Sequence, residues 1–133
     1  MKRLHKKPDN RRGVVTVEFA IVAPVIFLMF FGALEFAAVN LVRQTASNAA
    51  YEGARVLVVP GANSDEAKTV AEQMLVNIGV ANGATVNVEE TTEEVTVTVT
   101  IPADRNSWGL SRLFGGITVA QKCRLSREVS TAL

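Results

Sequence analysis

The twenty-one residues from Val14 to Leu34, VVTVEFAIVAPVIFLMFFGAL, limit what this chain can fold into more than any other feature. At about 1.5 Å per residue a helix of that length covers roughly 31 Å, the thickness of a bilayer's hydrocarbon core. Sixteen uncharged residues separate Glu18 from Glu35. A soluble helix this long carries a polar face, and this stretch has none. It predicts one membrane span. A cleaved secretory signal is the rival reading, but its apolar region runs about 7–15 residues and ends at a small-residue site followed by polar chain. Here a helical pattern continues beyond Leu34.

The charges support the same reading. The total of +1 conceals a division. Lys2, Arg3, Lys6, Lys7, Arg11 and Arg12 crowd the first twelve positions against Asp9 alone, whereas from Val14 onward eight basic residues face twelve acidic ones. Basic residues that bind nucleic acid sit on a folded surface or a polar helix. These abut an apolar run, which predicts a leader held in the cytoplasm and no nucleic-acid partner. Cys123 is the only cysteine and His5, in the leader, the only histidine. An intrachain disulfide, a His/Cys metal site and a His-dependent triad are excluded. No convergent nucleophile, base or metal set is visible, so the sequence predicts neither an enzyme, nor a cofactor, nor a small-molecule substrate.

Past the span, Val39, Val42, Ala46, Ala49, Ala50, Gly53, Val56 and Leu57 recur at spacings of three and four, opposite a face bearing Asn40, Arg43, Gln44, Ser47, Asn48, Glu52 and Arg55. The span therefore extends as one helix of some 45 residues, with Pro24 expected to bend it and Pro60-Gly61 to stop it. A second, amphipathic helix is expected from an N-cap at Ser64 to a stop at Gly79, with Ala67, Val70, Ala71, Met74, Leu75 and Ile78 as its apolar stripe. Val86 and Val88, then Val95, Val97, Val99 and Ile101, alternate with polar residues and predict two strands joined by a hairpin over Glu89 to Glu94. Pro102 ends the second strand. Ser107 to Phe114 reads as a short helical stretch. A third strand from Ile117 to about Ser126 puts Ile117, Val119, Cys123 and Leu125 on one face, where Gln121 suggests a bulge. The expected architecture is α+β: a long N-terminal transmembrane helix running into a small head with a second helix and a three-stranded antiparallel sheet.

At the junction of leader and span the chain reads Arg11-Arg12-Gly13-Val14-Val15-Thr16-Val17-Glu18-Phe19. A Gly followed five residues later by Glu is unspecific alone, but here the Gly ends the basic leader and the Glu is the fifth residue of an apolar span. This resembles the prepilin-peptidase site of type IV pilins, and the Glu-Phe pair is closer to the Flp and TadE/TadF branch, the tight adherence system. Asn48-Ala49-Ala50-Tyr51-Glu52-Gly53-Ala54-Arg55 is similar to the segment that follows the span in TadE-like proteins, as are Glu35-Phe36 and, less specifically, Arg127-Glu128. The resemblance is strong from Arg12 to Arg55 and general from Pro60 onward. It implies a pseudopilin or minor pilin with a type IV pilin-like fold, cut between Gly13 and Val14 by a prepilin peptidase. The subunit would work in Flp-type pilus assembly with other pilin subunits, which it meets through its N-terminal helix.

Physical reasons support these placements. Glycine lets an active site reach the backbone at the membrane surface. Cleavage would give Val14 a charged amine, and Glu18, one turn along, is costly in lipid unless paired. A neighbouring subunit's Val14 amine could supply that pairing and set the register of packed helices. The plainer reading puts Glu18 at headgroup level as a span boundary. Ala49, Ala50, Gly53 and Ala54 are best read as small because another element packs closely, and Glu52 with Arg55 as a surface pair. Glu89, Glu90, Glu93 and Glu94 read as a solvated turn in preference to a calcium site, Cys123 as a buried inert thiol, and Trp108, Leu110, Leu113 and Phe114 as closing the core.

The expected organisation is thus a leader over 1–13, a transmembrane helix over 14–34 and an extracytoplasmic head over 35–133. The subunit is expected in a bacterial inner membrane with its N-terminus cytoplasmic, or incorporated into an extracellular pilus. An uncleaved single-pass protein whose head binds an envelope partner is the alternative. Beyond these structural readings, the sequence assigns no function to Trp108 or to the acidic stretch Glu89 to Glu94.

Overall fold

The computed structural model describes residues 10–59, 61–106 and 116–127, with residues 10–12 described in their backbone alone. The expectations for Pro60, for Ser107 to Phe114 with Trp108, and for Glu128 lie outside these residues. Helix α1 runs Asn10–Val58, through Pro24, and α2 runs Ser64–Ile78. Strands β1 (Thr85–Glu90) and β2 (Glu94–Pro102) follow, then a four-residue helix α3 (Ala103–Asn106) and strand β3 (Thr118–Ser126). The chain divides into two compact units, with the boundary between Leu34 and Glu35.

In the first unit the large apolar side chains from Val14 to Leu34 are between 50% and 71% exposed, on every side of the helix. A helix that exposes apolar side chains all round has the character of a membrane span. It is the one helix among the described residues long and apolar enough to cross a bilayer.

The second unit is built on an antiparallel sheet of order β1-β2-β3. Alternation decides which face is buried. Val95, Val97, Val99 and Ile101 of the central strand are fully buried, whereas Val86 and Val88 on β1, and Val119, Cys123 and Leu125 on β3, are only partly so. The core is completed by Val42, Ala46, Ala49, Ala50, Ala54 and Leu57 of α1 and by Ala67, Ala71 and Leu75 of α2. The largest of these side chains contribute about 1.5–3 kcal/mol each on burial. The small ones contribute by letting the helices approach.

The caps account for the ends of α2. Asn63, not Ser64, is the N-cap: its backbone is extended and its side chain accepts from the Asp65 amide at 3.2 Å, while Ser64 is already helical. Asparagine and serine cap almost equally well, so adjacent candidates cannot be ranked from residue type alone. Gly79 ends the helix at φ 81°, its amide and that of Val80 bonding back to Val76 and Leu75. Only glycine takes this conformation freely. The chain then turns Val80 into the core and leaves Ile78 exposed, contrary to the expected stripe. β3 begins at Thr118, one residue later than expected, and pairs with β2 without interruption from Pro102↔Thr118 to Glu94↔Ser126. No bulge is present there: Gln121 stays in phase, opposite Val99, and is half-buried at the sheet edge, where its amide can reach solvent.

Candidate functional site on the N-terminal helix

Helix α1 begins three residues before Gly13, so Gly13, Val14, Glu18 and Phe19 are all presented on helical backbone. All four are exposed, and a Cβ built at Gly13 would meet no atom within 4 Å. Among the described residues no side chain crowds Gly13. Val14 and Glu18, four residues apart, lie on one face of the helix, one turn from each other.

The segment Ala49 to Arg55 is organised differently. Ala49, Ala50, Gly53 and Ala54 are buried, while Glu52 and Arg55 turn outward and form an exposed pair at 3.8 Å. A Cβ at Gly53 would lie 3.2 Å from the Ala67 carbonyl oxygen and 3.4 Å from both the Ala71 Cβ and a Val97 methyl. Two helices and the central strand converge on this glycine. Its lack of a side chain is what lets α1 and α2 come so close.

Sequence reasoning missed the role of Arg127. Its guanidinium donates to the Leu57 carbonyl from Nε at 3.1 Å and from Nη2 at 2.9 Å, and Nη2 also reaches Glu90 at 3.3 Å. Leu57 lies in the last turn of α1, where carbonyls lack helical partners, so Arg127 caps that helix from the position just after β3. A basic residue directly after the last strand was the available signal, but it gave no partner. The hairpin carboxylates divide: Glu90 bonds Arg127, and Glu94 pairs with Arg124 at 3.3 Å. Cys123 is half-buried, not buried, because β3 is an edge strand; desolvation raises its thiol pKa, which favours the less reactive protonated form.

An exposed apolar helix joined to a small head of one further long helix and a three-stranded antiparallel sheet is an α+β, pilin-like layout. Residues 13–55 match the family model of TadE-like protein, so the chain carries a TadE-like segment from Gly13 to Arg55, the stretch that holds both sequence motifs. No curated protein and no solved structure matches the chain.

Proposed function

We propose that the protein is a TadE-like pseudopilin or minor pilin, inserted in a bacterial inner membrane and cut by a prepilin peptidase between Gly13 and Val14. It then serves in the assembly of a Flp-type pilus or related secretion apparatus. The observation that carries this reading is the TadE-like match over residues 13–55, whose apolar stretch Val14 to Leu34 has its large side chains exposed. A helix bare on all sides is suited to lipid first and to the helices of other pilin subunits afterwards. Recognition and packing, not catalysis, are the chemistry of such a subunit.

The roles follow from position. Gly13 gives the peptidase access to the backbone, and the cut turns Val14 into the new N-terminus. Glu18 takes the Val14 amine of a neighbouring subunit, and Phe19 packs beside it in the assembly. Ala49, Ala50, Gly53 and Ala54 fix the head to the end of the helix, with Glu52 and Arg55 on the outer side.

The mature N-terminus is the test. In cells that contain the peptidase, N-terminal sequencing should return Val14 first, and replacing Gly13 with a bulky residue should leave the leader attached. An intact Met1 in those cells refutes the processing reading and favours an uncleaved membrane anchor.

A further inference from the structure

The two outer strands of the sheet carry opposite charge. β1 and β3 each pair only with β2, so each has an unpaired edge among the described residues. On the polar face of the sheet, Glu89 stands opposite Thr96, which stands opposite Arg124; in the next such row Asn87, Thr98 and Lys122 align. β1 has acidic residues and no basic one, and β3 has basic residues and no acidic one. Glu89, Lys122 and Arg124 are exposed, and neither Glu89 nor Lys122 has an ion-pair partner among the described residues.

Open edges invite pairing with another chain, and charge determines which pairing is allowed. Two copies meeting β1 to β1 would bring only acidic residues, Glu89 and Glu90, to the contact. Two meeting β3 to β3 would bring only basic residues, Lys122 and Arg124. Only β1 against β3 brings acid to base: it continues the first row as acid, threonine, base, acid, and places Lys122 of the next row diagonal to the same glutamate. The pair between Arg124 and Glu94 does not prevent this. Its side chains are 60% and 45% exposed, and such pairs exchange readily.

We infer that the acidic β1 edge of one head docks on the basic β3 edge of a second copy of this chain. The contact is heterologous: it uses two different surfaces and leaves one of each free, so it propagates along a row of subunits. It belongs to the head alone and does not depend on cleavage of the leader.

Cysteine crosslinking on the full chain in membranes tests it, in a Cys123→Ser background with two differently tagged copies. Asn87→Cys in one copy and Ala120→Cys in the other place thiols on the two edges without altering a charge. The mixed pair should crosslink, and each variant alone should do so several-fold less. Adding Glu89→Lys to the first copy should lower the yield several-fold, and Lys122→Glu in the second should restore it. Rising salt should weaken the unaltered-charge pair, a readout that needs no charge variant. Equal crosslinking in like pairs, indifferent yields on charge exchange and in salt, no dimer from folded heads, or a product only with a different protein would each overturn the inference.

Discussion

The guanidinium of Arg127 holds the Leu57 carbonyl through two hydrogen bonds, joining the end of the last strand to the last turn of the first helix across 70 residues of chain. The same side chain reaches Glu90 on β1. One residue thus ties together the helix terminus and both outer strands, at a point where the helix would otherwise leave carbonyls without partners.

Arg127→Ala should therefore destabilise the head. Hydrogen bonds from a charged donor are worth about 1.5–3 kcal/mol, and partial exposure of Arg127 and Glu90 lowers the expectation to about 1–2 kcal/mol. For a head of this size that corresponds to a fall in Tm of about 4–8 °C per kcal/mol. Arg127→Lys should recover part of it, since an ammonium can donate to the carbonyl but lacks the planar fork. Thermal unfolding of the detergent-solubilised chain is the measurement, and an unchanged Tm in Arg127→Ala would refute the capping role.

Gly53 separates two opposing effects. Alanine at this position gains about 1 kcal/mol of helix propensity over glycine. Its Cβ would press on the Ala67 carbonyl at 3.2 Å, so neighbours must yield by a few tenths of an ångström. Near-neutral stability is expected for Gly53→Ala. Gly53→Val adds two methyl groups where Ala71 and Val97 already stand at 3.4 Å, and overpacking of this kind costs about 1–3 kcal/mol. Denaturant unfolding of the pair should show valine clearly worse than alanine; equal stability would mean that α1 and α2 have room to part.

What could be read from the sequence followed periodicity. The 3,4 spacing of Val42, Ala46, Ala49 and Leu57, and the alternation of Val95, Val97, Val99 and Ile101, placed the buried faces of α1 and β2 correctly. These elements are long and one-sided, and each residue repeats the same message. Single-residue features were harder. The N-cap at Asn63, the exposure of Ile78 and the four residues of α3 each depend on how the chain leaves one element for the next. The burial of Thr45 in the α1 face was not foreseen either, since threonine at a helical core position reads as polar. Arg127 is the clearest limit: its partner Leu57 is distant in sequence, and no local pattern points to a helix carbonyl. The motif around Gly13 is of another kind: it is read from the order of basic leader, glycine and apolar run, and not from tertiary contacts.

Orientation in the membrane is open to a direct measurement. Six basic residues precede the span, and the first after it is Arg43. The asymmetry should keep the N-terminus in the cytoplasm and send the head across. Reporter fusions at the C-terminus should be active only in a form that reports export. Activity confined to the cytoplasmic reporter would reverse the topology and remove the basis for pilus assembly.

Glu18 allows cleavage and assembly to be separated. It is exposed on α1 one turn beyond Val14, among side chains suited to lipid. Glu18→Ala should be inserted and cut normally, because the scissile bond depends on Gly13 and the leader. Assembly should weaken, since the Val14 amine of a neighbouring subunit loses its partner, and a charge left unpaired at a buried helix interface costs about 3–5 kcal/mol. Glu18→Gln keeps the size and removes the charge, so it should resemble alanine if the ion pair sets the register and wild type if side-chain shape does. Crosslinking to partner pilins, measured beside leader removal in the same cells, reads both steps. Were both variants to crosslink as wild type does, Glu18 would mark only the boundary of the span, and helix register would have to come from the packing of the apolar side chains alone.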